Sequence, residues 1–543
     1  MFDVLLRGGT VVDGSGRPGF RSDVAIKDGK IQAVQDLSEA VAEKVIDVKG
    51  LVVSPGFIDM HSHSDLSILT HPKAESSISQ GITTEIVGSC GWSLAPVKEE
   101  TKQSVLRGLL SGLVHPEAYE KLDWSWHSFG ELMDKMDKAG TGVNVAPLVG
   151  QSLLRAHVVG TEKRGAVGGE IDAMKCLLRD ALESGAWGMS TGRSYLPGGN
   201  APTEEIIALA QVVAEFDGLY STHMKNESDE LFEAVDEVIR IAELTGVKAE
   251  ISHHKALGKR NFGKVRRSLE MIENARRKGL RISADCYPYE FSQASSLARY
   301  LPPEAMKLLE SPDGTAPAAP TMATFERAQR LLRDPGFMAK VKDLPEVQAA
   351  SKRFGDYYIV KCPSRPEAEG RVLEEYAAEA GKDALSLVFE FLLADGLDVW
   401  AASAISMDDV HDVISAAFVM PGTDAFALDR PITPIPAHPR HYGTFPRVVG
   451  RFVKEGLFSL ETAVMKSTWL PARTVGLSQR GLIEPGYWAD LVVFDPDTLM
   501  DTATGTEPYA RAEGIKHVFV NGVQAMENGV VKAAFAGRVL RKN

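Results

Sequence analysis

The stretch Val53-Ser54-Pro55-Gly56-Phe57-Ile58-Asp59-Met60-His61-Ser62-His63 decides how this sequence is expected to fold. The apolar run over residues 53–60 predicts a buried strand that ends on two histidines separated by one residue. Alternate residues of a strand point to the same face, so His61 and His63 are expected to point the same way. On the surface such a pair is commonly just hydrogen-bonded. At the end of a buried strand it indicates ligands for one divalent cation.

Strand candidates recur along the chain and alternate with amphipathic helical stretches such as residues 204–215, 228–244 and 264–278. Eight candidates are present, at residues 53–60, 83–87, 143–149, 187–190, 219–222, 249–252, 281–284 and 416–420. This alternation predicts an α/β protein built on a (β/α)8 TIM-like barrel rather than an open sheet.

Both ends of the chain contain short β-rich runs separated by turn signals such as Asn521-Gly522. They predict one small β-sandwich made of residues 1–54 and 481–543, around a barrel domain over residues 55–480. Between the seventh and eighth strands lie roughly 130 residues, about 288–415, far more than a strand–helix connection needs. We expect a mostly helical inserted subdomain, which includes the Pro/Ala-rich piece 311–320. Its role as a lid or as a structural appendage stays open.

Composition narrows the function classes. Of the 543 residues, 44% are hydrophobic and 24% charged, as in ordinary soluble globular proteins. No apolar run reaches the ~20 residues of a membrane span. The net charge of −13 disfavours a nucleic-acid partner. Four cysteines are too sparse for a disulfide framework, and the N-terminus shows no secretory signal, so a cytoplasmic location is expected.

Four further candidate metal ligands or acids follow other strand candidates. Cys90 follows the second, His223 the fifth, His253 the sixth and Asp424 the eighth. Singly, each has an ordinary explanation: a buried thiol, a hydrogen-bonded core histidine or a helix N-cap. Together they predict a site for one or two zinc-like ions, because catalytic groups in such barrels come from the ends of several strands. A sixth strand shifted by one residue would make His254 the ligand instead of His253.

Four motifs carry a resemblance to a known family. They are residues 53–63, Gly88-Ser89-Cys90-Gly91-Trp92-Ser93-Leu94-Ala95-Pro96, Ile251-Ser252-His253-His254-Lys255 and His438-Pro439-Arg440-His441-Tyr442-Gly443-Thr444-Phe445-Pro446-Arg447. With them the chain resembles the N-acyl-D-amino-acid deacylases (D-aminoacylases) of the amidohydrolase superfamily. The ending at residues 481–495 is typical of the whole superfamily and supports the fold more than the substrate.

The resemblance implies roles for individual residues. For the metal it implies a tightly held zinc at Cys90, His223 and His253, and a second, weaker position at His61 and His63. For the substrate it implies that the α-carboxylate is held by Tyr195, Lys255, Tyr287 and Arg440. Without the resemblance, a surface salt bridge would explain Arg440, and aromatic packing would explain the tyrosines.

The expected activity is metal-dependent cleavage of the amide bond of N-acyl-D-amino acids, small anionic substrates. A metal can activate water and polarise the carbonyl, and Asp424 can accept the water's proton and pass it to the leaving amine. Arg440 can hold a carboxylate through two parallel hydrogen bonds. The D-preference comes only from the resemblance. At Thr423 and at residues 290–293 the sequence departs from the pattern of the related deacylases. The acyl group and the amino-acid side chain that the substrate pocket accepts therefore stay open.

Two other functions are compatible with the same sequence. The same metal site could act on a cyclic amide, such as a hydantoin or dihydropyrimidine, or on an aryl amide; Cys90 in place of a bridging lysine argues against the cyclic-amide branch. A non-catalytic scaffold is also conceivable on this fold. A scaffold is expected to have lost ligands, whereas this chain has them all. Homo-oligomerisation stays open.

Overall fold

The structure, a computed structural model, describes residues 1–99, 102, 123–160, 162–310, 322–429, 437–532 and 535–543. The Pro/Ala-rich piece 311–320 lies outside them. In the described parts, α-helices span Glu75–Ile78, Phe129–Ala139, Gln151–Val158, Gly169–Glu183, Thr203–Glu215, Leu231–Thr245, Lys264–Arg277, Pro303–Glu310, Met322–Leu332, Pro335–Lys342, Pro345–Phe354, Leu373–Glu379, Ala384–Asp395, Met407–Ser415, Arg440–Pro446, Phe452–Lys454, Leu460–Ser467 and Trp469–Val475.

Both ends of the chain contribute strands to one sheet of nine described strands. These are Phe2–Val11, Phe20–Lys27, Lys30–Gln35, Ala42–Asp47, Val52–Pro55, Leu491–Phe494, Ile515–Val520, Val523–Glu527 and Val530–Val531. The strand Val52–Pro55 joins the two ends, because it pairs in parallel with Phe2–Val11 and antiparallel with Leu491–Phe494. In the predicted turn Asn521-Gly522, both residues have positive φ, 48° and 82°, as a tight hairpin requires.

Two parallel sheets carry the strands of the central region. One has the order Val149–Gly150, Gly188–Gly192, Leu219–His223, Lys248–Ile251, Ile282–Cys286 and Val419–Pro421, and the other has the order Phe57–Asp59, Ile82–Val87 and Asn144–Pro147. Helices such as Thr203–Glu215 and Leu231–Thr245 connect successive strands, so the predicted α/β class is confirmed. Backbone bonds also join the ends of the first and last strands: the Asp424 N–H donates to the His61 carbonyl at 2.7 Å.

The strand predicted over residues 53–60 is two strands in different sheets. The first, Val52–Pro55, lies in the terminal sheet, and the second, Phe57–Asp59, lies in the three-stranded parallel sheet. The change occurs at Gly56, whose N–H donates to the Asp490 carbonyl at 2.8 Å. A Cβ at Gly56 would overlap the Thr83 side chain, so this crossing between sheets needs glycine.

The long connection between the last two parallel strands has its own hydrophobic cluster, drawn from residues 297–401. Beside the expected helices it contains an unpredicted four-stranded sheet of Ser295–Ser296, Trp400–Ser403, Tyr357–Lys361 and Arg371–Val372. The run Tyr357-Tyr358-Ile359-Val360 has the aromatic and β-branched character of a strand, which is the signal that could have predicted it. Among the described helices, none is long and apolar enough to cross a bilayer.

Candidate metal centre and substrate-binding residues

The parallel strands bring the candidate ligands to one edge. His61 lies just past Phe57–Asp59, Cys90 past Ile82–Val87, His253 past Lys248–Ile251 and Asp424 past Val419–Pro421, while His223 ends Leu219–His223. All five side chains come from the carboxyl ends of their strands. Their placement therefore agrees with the expectation that the ends of several strands form one site.

The donor atoms of this group are close enough to share a metal ion. Cys90 Sγ lies 3.4 Å from His61 Nε2, 3.4 Å from His253 Nε2 and 3.9 Å from His223 Nδ1. His223 Nδ1 and His253 Nε2 are 2.9 Å apart. One donor atom from each of His61, Cys90, His253 and Asp424 lies within 4.8 Å of the others. Imidazole, thiolate and carboxylate are the ligands that zinc prefers.

Protonation of the buried donors also suits a metal. Burial lowers the pKa of His223 to about 4 and that of His253 to about 3, so both rings are neutral near neutral pH. A neutral imidazole is the form that binds metal. Burial, followed by the nearby Asp424 charge, raises the pKa of the Cys90 thiol well above its usual range. The thiol therefore has to lose its proton when a metal binds.

Three of these residues have positive backbone φ angles: 54° at Cys90, 37° at His253 and 50° at Asp424. Side chains other than glycine rarely adopt this region, and such residues concentrate at functional sites. Each occurs just after a strand ends, where the backbone leaves the extended conformation. At each of these positions the backbone turns, and the side chain points toward the common group of donor atoms.

His253, and not His254, lies among the donors. The His254 ring points away toward the helix Lys264–Arg277, where its Nε2 lies 2.8 Å from Ser268 Oγ. His254 is fully buried in this position. The register with His253 as candidate ligand is therefore the one that the structure adopts.

Replacing His254 with glutamine is expected to reduce the acid sensitivity of folding. Burial lowers the pKa of His254 from 6.5 to about 4, so between these values the folded protein binds fewer protons here than the unfolded chain. In the wild type, this difference in proton binding does not affect the free energy of unfolding above pH 6.5. As the pH falls from there toward 4, it lowers the free energy of unfolding by about 3 kcal/mol in total. Urea unfolding of both proteins at about pH 7 and about pH 4.5 measures it; parallel pH dependences would contradict it.

Asp424 lies at the junction of the donors and the basic side chains. Its Oδ1 is 3.1 Å from His63 Nε2, and its Oδ2 accepts from Arg440 Nη1 at 2.6 Å. Burial alone would raise the pKa of Asp424, but the Arg440 charge holds it well below its usual range. His63 thus contacts the Asp424 carboxylate, and it lies outside the tight four-donor group of described residues.

The other candidate substrate residues surround the same centre. Lys255 is buried, and its Nζ donates to Glu227 Oε1 at 2.8 Å. The Tyr287 ring lies under two cations, 5.4 Å from Lys255 Nζ and 4.8 Å from the Arg440 guanidinium carbon. The hydroxyl of Tyr195 is 3.1 Å from His223 Nδ1, and this tyrosine is 40% exposed. Lys255 and Arg440 therefore both have acidic partners within the protein.

Two buried acids behind the ligands were missed by the sequence reasoning. Glu227 Oε1 lies 2.8 Å from His253 Nδ1, and its donor atoms group with those of His223 and His253. Asp285 Oδ2 lies 3.0 Å from His61 Nδ1, and burial raises the pKa of Asp285 to about 7. Carboxylates in this position orient metal-bound histidines. Asp285 directly follows the strand predicted over residues 281–284, a position from which it could have been proposed. Glu227 lies in a loop four residues after His223, and nothing in the sequence marks that position.

The chain is similar to known proteins over its whole length. Residues 44–526 match the amidohydrolase family. The chain is 38% identical over 545 residues to the D-aminoacylase of Alcaligenes xylosoxydans xylosoxydans, covering 100% of this chain and 98% of that one. A structure of D-aminoacylase with a binuclear metal centre superposes with a TM-score of 0.77 at 36% identity over 100% of both chains. The structure of N-acyl-D-glutamate deacylase of Bordetella bronchiseptica, complexed with zinc and a phosphonate inhibitor, superposes with a TM-score of 0.76 at 32% identity over 99% of both chains.

Proposed function

The chain belongs to the amidohydrolase family, and on that premise we propose that it hydrolyses the amide bond of N-acyl-D-amino acids to a carboxylate and a free D-amino acid. The close group of His61, Cys90, His253 and Asp424, of which the first three are buried, is the observation that carries the proposal. It supplies the donors that the expected metal chemistry needs. The full-length likeness to D-aminoacylase and N-acyl-D-glutamate deacylase supports the substrate class.

Zinc, as one ion or two, is the metal that this donor set fits. Cys90, His223 and His253 would hold one ion, and His61 and His63 would contribute to a second. When bound, the metal lowers the pKa of the attacking water and polarises the scissile carbonyl. The zinc and the binuclear centre described for the two similar structures support this assignment.

Proton transfer falls to Asp424. Its carboxylate is charged and held between His63 Nε2 and Arg440 Nη1. In this position it accepts a proton from the attacking water and passes it to the leaving amine. These two contacts fix the orientation of the carboxylate, and the carboxylate gains its proton only during the reaction.

The α-carboxylate of the substrate is assigned to Arg440, Lys255, Tyr195 and Tyr287. Only the Nη1 end of Arg440 is tightly engaged: Nη2 reaches Gln293 Oε1 at 3.4 Å, and Nε has no acceptor among the described residues. The Nε and Nη2 hydrogens of a guanidinium lie along one edge, which matches a carboxylate. Arg440 can therefore hold Asp424 and the substrate together.

Replacing Arg440 with alanine is expected to raise KM selectively. For substrates with a free α-carboxylate we expect a rise of about tenfold or more, since hydrogen bonds to charged groups are worth about 1.5–3 kcal/mol. For the matching substrate amides, which have no carboxylate, KM should change little, whereas kcat falls for both because Asp424 loses a partner. Steady-state kinetics on paired substrates measure this, and an equal KM rise for both types would contradict it.

The finer architecture is part of the proposal. We infer that the two parallel sheets form one closed (β/α)8 barrel, with its domain over residues 55–480. Support comes from the near-continuity of Asn144–Pro147 with Val149–Gly150 and from the bond between Asp424 and His61. Residues 1–54 and 481–543 form a small β-sandwich in this proposal, and residues about 288–415 form the subdomain inserted between the seventh and eighth strands.

A stereochemically paired panel of N-acetyl and N-formyl amino acids, assayed with and without zinc, tests the proposed function. D-substrates are expected to be hydrolysed and their L-counterparts not. Chelation should abolish turnover and zinc should restore it. Turnover of another amide class with no D-member of the panel hydrolysed would overturn the proposal.

A further inference from the structure

Behind Arg440 lies a histidine that uses both ring nitrogens. His438 is buried, its Nε2 donates to the Phe291 carbonyl at 2.9 Å, and its Nδ1 accepts from the backbone N–H of Arg440 at 3.1 Å. Burial and the Arg440 charge hold the pKa of His438 well below its usual range, so the ring stays neutral. A neutral imidazole has one donor and one acceptor, and these two contacts occupy them.

Phe291, the partner of His438, belongs to the first residues of the insert, and these are hydrogen-bonded to its last residues. The Ser292 N–H donates to the Ser403 carbonyl at 3.0 Å, and the Ile405 N–H donates to the Glu290 carbonyl at 2.7 Å. The Phe291 ring stacks on Tyr358 of the insert sheet at 4.5 Å and also packs against His438 at 4.3 Å. A continuous set of contacts therefore runs from the insert sheet to Arg440.

We propose that His438 is a positioning residue through which the insert braces Arg440 for carboxylate binding. This inference rests on the proposed function. The Arg440 side chain makes one short hydrogen bond, to Asp424, and one long hydrogen bond, to Gln293. The position of the guanidinium edge that would bind the carboxylate therefore depends on the position of the Arg440 backbone. His438 bonds that backbone directly. The insert is then neither a detached appendage nor only a cover, because it supports the substrate-binding arginine.

The test is His438→Phe, which keeps an aromatic ring among Tyr287, Tyr289 and Phe291 and removes both hydrogen bonds. We expect KM for the best D-substrate of the wild type to rise about tenfold, the loss expected when a buried polar contact is broken. The fall in kcat should be smaller, about threefold, since His63 still contacts Asp424. A purely structural role would lower the active fraction and kcat and leave KM unchanged.

Two further variants make the result decisive. His411→Phe changes a histidine that packs on Phe452, away from these contacts, and should keep the wild-type KM. His438→Asn keeps an acceptor near the position of Nδ1 but does not reach Phe291; it should raise KM about threefold and decides the matter if His438→Phe does not fold. An unchanged KM in a folded variant, or failure of both to fold, overturns the inference alone. A wild type that hydrolyses no D-substrate refutes the proposed function first.

Discussion

Replacing Cys90 with serine is expected to remove the bound metal and to lower kcat at least about 10³-fold, because a bound metal supplies several kcal/mol of barrier reduction. The thiol lies 3.4 Å from two candidate histidine ligands. A serine hydroxyl has similar size but does not lose its proton near neutral pH, so it is a poor replacement for a thiolate. Metal analysis and steady-state kinetics on the purified variant measure both effects.

Cys362→Ser is the matched control. This cysteine is also buried, but it lies in the insert, with its Sγ 3.6 Å from Asp395 Oδ2. We expect this variant to keep its metal and its kcat. Full metal content and near-normal turnover in Cys90→Ser would show that the thiol is a packing group and would remove it from the proposed ligand set.

Replacing Asp424 with asparagine is expected to lower kcat about 10³-fold while the protein keeps most of its metal. Loss of a general base and acid costs about 10² to 10⁴ in rate. Asparagine preserves the shape of the side chain, and Cys90, His223 and His253 remain to hold the ion. The measurements are kcat, metal content and the far-ultraviolet circular dichroism spectrum of the same preparation.

A second buried aspartate controls for the loss of a carboxylate as such. Asp395 accepts from Ser364 Oγ at 2.7 Å in the insert and touches none of the candidate ligands. Asp395→Asn should keep its kcat. If Asp424→Asn retained more than about a tenth of wild-type kcat, with metal bound, proton transfer would have to be assigned to another group.

The sequence identified the candidate site better than it identified the strands. The residue types at strand ends were sufficient to propose Cys90, His223 and Asp424, because the ends of parallel strands meet at one edge. The strand over residues 53–60 was predicted as one element since its apolar run is unbroken. Its division at Gly56 depends on Thr83 and Asp490, residues remote in the sequence.

By itself, then, the sequence determined the family and the metal-dependent chemistry, and it proposed donors near five strand ends. Only the tertiary structure decided between His253 and His254, since local alternation of side chains fails where φ becomes 37°. It also decided the partners of the two cations, Glu227 for Lys255 and Asp424 for Arg440. Such pairings depend on how separate elements pack around a buried charge, and residue spacing along the chain carries no record of that.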